Sequence, residues 1–247
     1  LVTGPTGSGK STTLSGALGA ANDGKKKIVS VEDPVEFVVP GVTQVQAHAD
    51  IGYTFAKALR AILRQDPDVI MVGEIRDKET ADIAVQAAMT GHMVFSTVHT
   101  NDALSVFSRL IDMGVEPFLA AAPMKLVQAQ RLVRKLCEHC AESVTVETKL
   151  EEDFTQLGMD FVPNWKKSVG CKWCAEVGYK GRTGIYEIYE ILPEVRDLVV
   201  NRESISKLRK LYQDLGYRNL YQDGLVKAAK GLTTIEEVVR VTSGVED

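Results

Sequence analysis

The sequence predicts an α/β fold, built on a mostly parallel sheet with helices on both faces. Across residues 1–136, short apolar runs typical of buried strands alternate with segments that have helical spacing. A glycine-rich loop, residues 4–9, follows the first apolar run and precedes the first helical segment. The chain has 247 residues, 45% of them hydrophobic, which is enough for one large domain with a small appendage.

The composition excludes several classes of protein. With 45% hydrophobic and 25% charged residues, the chain is neither disordered, collagen-like nor of low complexity. The net charge of −4 gives no support to duplex binding, which favours basic proteins. The longest stretch without a charged side chain, residues 83–101, contains Gln86, His92 and Ser96, so it is too polar to cross a bilayer.

The segment before the glycine-rich loop is unusually short. Only Leu1-Val2-Thr3 precede the glycine-rich loop, whereas a strand that enters such a loop is normally longer. We therefore expect the sequence to be part of a longer protein. The lack of an export signal is correspondingly weak evidence for a cytoplasmic location.

The elements of the first 136 residues follow one another in a regular order. Residues 10–21 predict a helix, and residues 27–31 predict a buried strand that ends at Glu32 and Asp33. Residues 36–46 alternate about Pro40-Gly41, which predicts a hairpin. The remaining predictions are a helix over 54–64, a strand over 69–72, a helix over 78–89 and a strand over 93–98.

The character of the chain changes after residue 136. Residues 137–174 are rich in loops, acids and aromatics, which indicates a small inserted subdomain. Residues 185–191 predict a strand, and the tail from Pro193 predicts short helices with polar outer faces. We expect three regions: an α/β core over 1–136, a cysteine-containing subdomain over 137–184, and a strand with a helical C-terminal region over 185–247.

The glycine-rich loop fits the P-loop pattern in full. Its backbone N–H groups and the N-terminus of the following helix are expected to hold phosphate oxygens, with Lys10 on the β/γ oxygens and the Ser11 hydroxyl on Mg²⁺. A flexible glycine-serine linker is the alternative, but the position between an apolar run and a helix argues against it. The segment that we assign to ATP or ADP reads Gly4-Pro5-Thr6-Gly7-Ser8-Gly9-Lys10-Ser11-Thr12.

Acidic side chains close two of the predicted strands. Glu32 and Asp33 follow one strand and Glu74 follows the other, and ligands of open α/β sheets bind at the carboxyl ends of strands. Such carboxylates can orient a water molecule or hold Mg²⁺ through its hydration shell, although acids also cap strand ends without any catalytic role. Gly73 stands where a Walker B motif usually has its aspartate, so direct metal ligation at that position is excluded.

Three arginines, Arg60, Arg64 and Arg76, flank the strand over 69–72. Arg60 and Arg64 are four residues apart and share one helix face. A solvated or salt-bridged face is the plain interpretation of this spacing. The functional interpretation is neutralisation of transition-state charge across a subunit boundary, because a single P-loop supplies too little positive charge.

Two histidines bracket the strand over 93–98. His92 and His99 have no cysteine nearby and their spacing is poor for a metal site. They are candidates for a strand end that senses the γ-phosphate or a neighbouring subunit. The alternative is a hydrogen-bonded structural histidine.

The four cysteines form two C-x-x-C pairs, which predict one structural zinc site. Disulfides are the alternative, but an ATP-dependent protein belongs in a reducing compartment. No ligand position remains for catalysis, and His139 inside the first pair is not needed. The predicted ligands are Cys137, Cys140, Cys171 and Cys174.

Together these motifs resemble the secretion-superfamily ATPases, namely the type II secretion ATPase and the type IV pilus assembly (extension) ATPase. The resemblance covers essentially the whole chain, as the C-terminal ATPase domain of that family. It lies in the P-loop, in an Asp box, in an atypical Walker B motif that ends in Gly-Glu, in a His box, and in the paired C-x-x-C motifs. The matching segments are 4–12, 29–36, 66–77, 90–103, 137–174 and 178–187.

The resemblance implies a RecA-like P-loop NTPase core, a homohexameric ring and ATP sites at subunit boundaries. It implies that Glu32 activates the attacking water, that Glu74 supports Mg²⁺, and that Arg60, Arg64, Arg76 and Arg182 lie around the nucleotide. It also implies N-terminal domains that dock on inner-membrane platform proteins, and hence a cytoplasmic protein at the inner face of the inner membrane.

The function predicted on this basis is a motor ATPase that powers pilus assembly or protein secretion. Retraction ATPases of the same superfamily lack the tetracysteine subdomain, which favours assembly or secretion. One alternative is a RecA-like nucleic-acid translocase, against which the net acidity argues, so no nucleic acid is expected. Another is an assembly switch that binds ATP with little turnover, which Gly73 keeps open.

Overall fold

The computed structural model describes residues 1–243. Nine strands and ten α-helices occur in this part of the chain. The strands are β1 (Val2–Thr3), β2 (Ile28–Glu32), β3 (Thr43–Gln46), β4 (Val69–Val72), β5 (Met93–Val98), β6 (Leu126–Leu136), β7 (Glu142–Ser143), β8 (Lys166–Lys167) and β9 (Tyr179–Glu190). The helices are α1 (Lys10–Ala21), α2 (Phe55–Ile62), α3 (Lys78–Met89), α4 (Ser105–Asp112), α5 (Pro117–Ala121), α6 (Thr148–Gln156), α7 (Pro193–Val200), α8 (Ile205–Asp214), α9 (Leu220–Ala229) and α10 (Ile235–Thr242).

One seven-stranded sheet organises the fold, in the spatial order β3-β2-β4-β5-β1-β6-β9. Every neighbouring pair is parallel except β6 and β9, which are antiparallel. The predicted α/β class with a mostly parallel sheet is therefore confirmed. The carboxyl ends of β2, β4, β5 and β1 all reach the same edge of the sheet, which is where ligands of such folds bind.

Helices cover both faces of this sheet, as the alternation along β4 shows. Val69 and Met71 pack in a cluster with Leu14 and Leu18 of α1. Ile70 and Val72 point to the opposite face, into the larger core that contains the buried side chains of α2, α3 and α4. Because β4 is buried on both faces, its sequence is a continuous apolar run.

The hairpin predicted over residues 36–46 is wrong. β3 runs parallel to β2, with Val29 opposite Thr43 and Glu32 opposite Gln46. Pro40-Gly41 therefore lies in a crossover loop, residues 33–42, that carries the chain back to the start of a parallel strand. Alternating polarity is common to parallel and antiparallel edge strands, so the pattern did not reveal the direction.

A small subdomain lies between β6 and β9. It contains the two-stranded antiparallel sheet of β7 and β8, helix α6 and a short 3-10 turn, Lys172–Cys174. Its aromatic residues Phe154 and Trp165 meet edge to face, with ring centroids 5.6 Å apart. They pack against Ala228 and Val238 of the C-terminal helices, so the subdomain shares a core with α9 and α10.

The C-terminal helices are fixed to the main sheet. Glu237 of α10 accepts hydrogen bonds from the backbone N–H and the guanidinium of Arg134 on β6. Tyr212 of α8 stacks on Tyr189 of β9, with ring centroids 4.2 Å apart. Among the described residues, no helix combines the length and the apolar character that crossing a membrane requires.

Candidate active site and metal centre

A cleft of about 430 Å³ lies at the carboxyl edge of the sheet, above the P-loop. Its walls come from the loop, from the ends of β2 and β4, from the segment after β5 and from β9. The structure brings most of the predicted site residues together there. Those that line the cleft are Thr6, Gly7, Gly9, Lys10, Ser11, Thr12, Glu32, Glu74, Arg76, His99 and Arg182.

The P-loop passes very close to β6, and this approach requires glycine at its start. Gly4 has φ +146°, and a Cβ there would lie only 2.5 Å from the carbonyl oxygen of Gln130. Gly9, with φ +89°, precedes the first residue of α1, so the loop leads directly into a helix N-terminus. The free N–H groups of that terminus are suited to phosphate oxygens.

Lys10 lies inside the curve of the P-loop. Its Nζ donates hydrogen bonds to the carbonyl oxygens of Gly4, at 2.8 Å, and Pro5, at 3.1 Å. Burial lowers the pKa of Lys10, while the negative charge of Glu74 opposes that effect. The ammonium is thus held at the mouth of the loop by weak neutral acceptors, which a phosphate can outcompete.

Glu32 ends β2 and its carboxylate is largely buried, at 7% exposure. Its Oε1 accepts a hydrogen bond of 2.6 Å from the Ser30 hydroxyl and one of 2.9 Å from the Gln44 side-chain amide. No cation within residues 1–243 lies at ion-pair distance from Glu32. The carboxylate is therefore positioned by neutral donors beside the P-loop.

Glu74 has a different environment. Its Oε1 lies 2.5 Å from Nη2 of Arg76, and its Oε2 lies 3.5 Å from Nε2 of His99. Both carboxylate oxygens of Glu74 are therefore engaged by side chains that line the cleft, whereas Glu32 is held by neutral donors.

The absence of a side chain at Gly73 has a steric cause. A Cβ there would lie 3.2 Å from the carbonyl oxygen of Val31 and 3.4 Å from Cα of Glu32, on the neighbouring strand. The Gly73 carbonyl in turn accepts a hydrogen bond of 2.8 Å from Thr97. A side chain at this position would therefore require the Val31 backbone to shift by a few tenths of an ångström.

The structure does not bring Arg60, Arg64 or His92 to the cleft. Arg60 pairs with Glu79 of α3 at 2.6 Å, and both arginines line a depression between α2 and α3. His92 lies just before β5, whereas the cleft is at the other end of that strand, about 20 Å away for six residues. The His92 ring bonds instead to the carbonyl oxygen of Ala87, at 2.9 Å.

Two glutamines at the site were missed by sequence reasoning. Gln44, described above, contacts Glu32 from β3. Gln130 of β6, only 2% exposed, donates a hydrogen bond of 2.7 Å to the carbonyl oxygen of Ser8 and accepts one of 2.8 Å from Thr13. It thus joins the P-loop to α1. Neither residue belongs to a recognisable motif, and a polar side chain on a sheet strand was the only available signal.

The four cysteines form a compact cluster, with all four Sγ atoms within 4.8 Å of one another. Cys137 and Cys171 are 3.9 Å apart, and Cys174 lies 3.8 Å from both Cys140 and Cys171. A tetrahedral zinc ion with Zn–S bonds of about 2.3 Å sets its sulfurs about 3.8 Å apart. The cysteines are therefore arranged as a zinc site requires and are not disulfide-bonded.

Backbone N–H groups favour the thiolate form of Cys174, one member of this cluster. Burial opposes ionisation of Cys174, but hydrogen bonds from the N–H groups of Cys171 and Gly178 outweigh it and lower the pKa of the thiol to about 7. His139 stacks on Trp173, with ring centroids 5.0 Å apart. The group of side chains that could hold a metal ion comprises the four cysteines and does not include His139.

Comparisons with known proteins agree with this geometry. The sequence profile described as "Type II/IV secretion system protein" matches residues 1–240. The chain is 52% identical over 242 residues to the type II secretion system protein HxcR of Pseudomonas aeruginosa, covering 98% of this chain and 48% of that protein. It is 49% identical over 246 residues to the type IV pilus assembly ATPase PilB of Myxococcus xanthus, covering 98% and 43%. The chain thus spans about half the length of the curated relatives it matches.

The fold is also similar to that of solved structures. A crystal structure of the pilus retraction motor PilT with bound ADP superposes with a TM-score of 0.71 at 31% sequence identity. The match covers 97% of this chain and 60% of that one. The X-ray structure of the Legionella pneumophila ATPase DotB gives a TM-score of 0.68 at 23% identity, which supports the fold alone.

Proposed function

The chain belongs to the type II/IV secretion system protein family, and we propose that it is the ATP-hydrolysing core of a motor that powers type IV pilus assembly or type II secretion. The observation that supports this most strongly is the convergence of the P-loop lysine, Glu32 and Glu74 on one cleft. The relatives include both secretion and pilus proteins, so the choice between the two machines stays open.

In this proposal each group that lines the cleft has a separate role in phosphoryl transfer. The P-loop N–H groups and Lys10 bind the β- and γ-phosphates, and Glu32 accepts a proton from the attacking water. The hydroxyl of Ser11 and the carboxylate of Glu74 line the same cleft and present the oxygen ligands, direct or through water, that Mg²⁺ prefers. When bound, Mg²⁺ would neutralise charge on the phosphates.

The arginines support an assembly in which sites are completed between subunits. Arg76 and Arg182 already line the cleft, whereas Arg60 and Arg64 face another surface of the chain. A ring, which we propose to be a homohexamer, would let these two arginines reach the nucleotide of a neighbouring subunit. His92, at the far end of β5, would equally have to act across such a boundary.

We propose that the tetracysteine cluster binds one structural zinc ion. The sulfur spacing and the backbone N–H donors support this assignment. The cluster joins the two ends of the segment between β6 and β9, so zinc would stabilise the subdomain rather than take part in hydrolysis.

The partners and the location follow from the same proposal. A pilus or secretion motor would act at the cytoplasmic face of the inner membrane, associated with it through platform proteins. The net charge of −4 gives no support to a nucleic-acid-binding surface. The translocase alternative predicts that DNA stimulates the ATPase activity, and we expect no such stimulation.

The deciding experiment measures phosphate release from Mg-ATP as protein concentration rises. Specific activity should climb with concentration if sites are completed between subunits, and Lys10→Ala should abolish it. Lys149→Ala, which removes an exposed lysine far from the P-loop in sequence, is the matched control and should keep wild-type activity. Flat activity would contradict shared sites, stimulation by DNA would favour the translocase, and ATP binding without turnover would favour the switch.

A further inference from the structure

We propose that Gln44 is a positioning residue for Glu32, and that its amide group couples this carboxylate to the exposed loop over residues 33–42. The inference rests on the proposed function, in which Glu32 is the base that activates water. It concerns a residue on the edge strand β3 that is not part of the P-loop, the Walker B segment or the metal centre.

The register of the sheet places Gln44 at this point. Ser30 of β2 lies directly opposite Gln44 of the parallel strand β3. Since alternate residues of a strand share a face, Ser30, Glu32 and Gln44 all project from the same side of the sheet. Ser30 and Gln44 both donate to Oε1 of Glu32, at 2.6 and 2.9 Å, so Oε2 is the oxygen that remains for a water molecule.

The orientation of the Gln44 amide is determined by its partners. Its Oε1 accepts a hydrogen bond of 2.8 Å from the N–H of Val39, and its Nε2 donates one of 2.9 Å to the carbonyl oxygen of Phe37. If the amide were rotated by 180°, its oxygen would face the Glu32 carboxylate and the Phe37 carbonyl oxygen, which are both acceptors. Its NH₂ group would then face the N–H of Val39, which is a donor. Only a side chain with one acceptor and two donors at this position satisfies the arrangement.

A neutral donor suits a residue that must act as a base. Glu74 is paired with the guanidinium of Arg76, so one of its oxygens is already engaged by a cation. Glu32, within the described residues, has no such ion pair. Hydrogen bonds from an amide and a hydroxyl fix the orientation of the carboxylate without placing a full opposing charge beside it.

The same amide connects the base to the surface. Its two backbone partners, Phe37 and Val39, flank Val38, whose side chain is 86% exposed, and Phe37 itself is 47% exposed. A displacement of this exposed apolar tip would therefore move the amide that holds Glu32.

The test compares Gln44→Glu and Gln44→Ala in the intact, assembled protein. Gln44→Glu keeps the size of the side chain and the bond from Val39, but it sets a carboxylate oxygen against Glu32 and against the Phe37 carbonyl. Gln44→Ala removes the contacts without adding repulsion. We expect kcat to fall at least tenfold in Gln44→Glu and less in Gln44→Ala, with KM for ATP within twofold of wild type in both.

The matched control is Gln46→Ala on the same strand, an exposed residue opposite Glu32 in register, which should keep wild-type kcat. A role in packing alone predicts the opposite order, because Glu has the shape of Gln and Ala leaves a gap. Unchanged kcat in Gln44→Glu, a larger loss in Gln44→Ala, or parallel losses of kcat, ATP affinity and thermal stability would each overturn the proposal.

Glu32→Gln, measured in parallel, separates this inference from the proposed function. If Glu32→Gln keeps wild-type kcat, Glu32 is not the base, and both the assigned mechanism and the role of Gln44 fail. If Glu32→Gln loses turnover while Gln44→Glu does not, the mechanism stands and only the role of Gln44 fails.

Discussion

Glu237 is expected to contribute more to stability than any exposed acid of the C-terminal helices. Its side chain is completely buried, and it is held by the guanidinium groups of Arg134 and Arg240 together with the backbone N–H of Arg134. These bonds connect α10 to β6, next to the P-loop. The perturbation is Glu237→Gln, which keeps the shape of the side chain and removes its charge.

The magnitude follows from the protonation equilibrium of this carboxyl. Burial alone would raise the pKa of Glu237, but the hydrogen bonds from Arg240 and Arg134 outweigh it and lower the pKa from 4.5 to about 2. A difference of one pKa unit corresponds to about 1.4 kcal/mol, so the charged form contributes about 3 kcal/mol to the free energy of unfolding. A lowered pKa of an acid means that this contribution is present above pH 4.5 and is lost as the pH falls towards 2.

The assay is urea unfolding of wild type and variant at several pH values. At pH 7 and 5.5 we expect Glu237→Gln to lower the free energy of unfolding by about 3 kcal/mol, because two arginines lose their common partner. Below pH 4.5 the difference should shrink, because the carboxyl of the unfolded wild type takes up a proton while that of the folded protein stays charged down to about pH 2. Glu236→Gln changes the exposed neighbouring residue and should stay within about 0.5 kcal/mol of wild type.

Two results would refute this reasoning. The first is a loss in Glu237→Gln no larger than that in Glu236→Gln, which would mean that the buried carboxylate adds nothing over a surface one. The second is a difference that stays constant from pH 7 to pH 3, which would mean that the effect does not depend on the charge of Glu237.

Three further predictions concern a buried acid, the P-loop and the metal centre. Burial raises the pKa of Glu187 to about 7, so its protonated form stabilises the fold at low pH and the benefit is lost as the pH rises through 7. Between pH 5 and pH 8, the free energy of unfolding measured in urea should rise for Glu187→Gln by up to about 3 kcal/mol relative to that of wild type. The same change with pH in both proteins would contradict this. Gln130→Met should weaken binding of fluorescent ADP about tenfold, because the P-loop loses its bond at Ser8, whereas Lys135→Met on the same strand should change affinity less than twofold. Cys171→Ser should reduce zinc from one ion per chain and lower the melting temperature of the subdomain while ADP affinity stays within twofold; equal loss of both would show that the two sites form one folding unit.

Some features of the site could be predicted from local sequence. The P-loop requires glycines and a lysine at fixed spacing, and the acids that follow β2 and β4 sit at strand ends that sequence patterns locate well. The spacing of each cysteine pair is likewise a local signal, because two intervening residues allow both thiolates to bind the same metal ion. These signals depend on neighbours within a few residues.

Other features depended on which strands became neighbours. The polarity of residues 36–46 is the same for a hairpin and for a parallel edge strand, so β3 was assigned the wrong direction. His92 and His99 looked equivalent in the sequence, yet they lie at opposite ends of β5 and only His99 reaches the cleft. The direction of a strand through the sheet decides such questions, and no local pattern contains it.

The sequence by itself determined the α/β class, and it predicted the phosphate-binding loop and the two C-x-x-C pairs, since each of these arises from backbone periodicity or from residues close in the chain. The tertiary structure alone revealed that Gln130 holds the P-loop across 122 residues and that Gln44 holds Glu32 across 12. It also revealed that Glu237 connects α10 to β6 across 103 residues. A hydrogen bond is specified only when its donor and acceptor meet at about 3 Å, and that distance is set by the packing of the whole sheet.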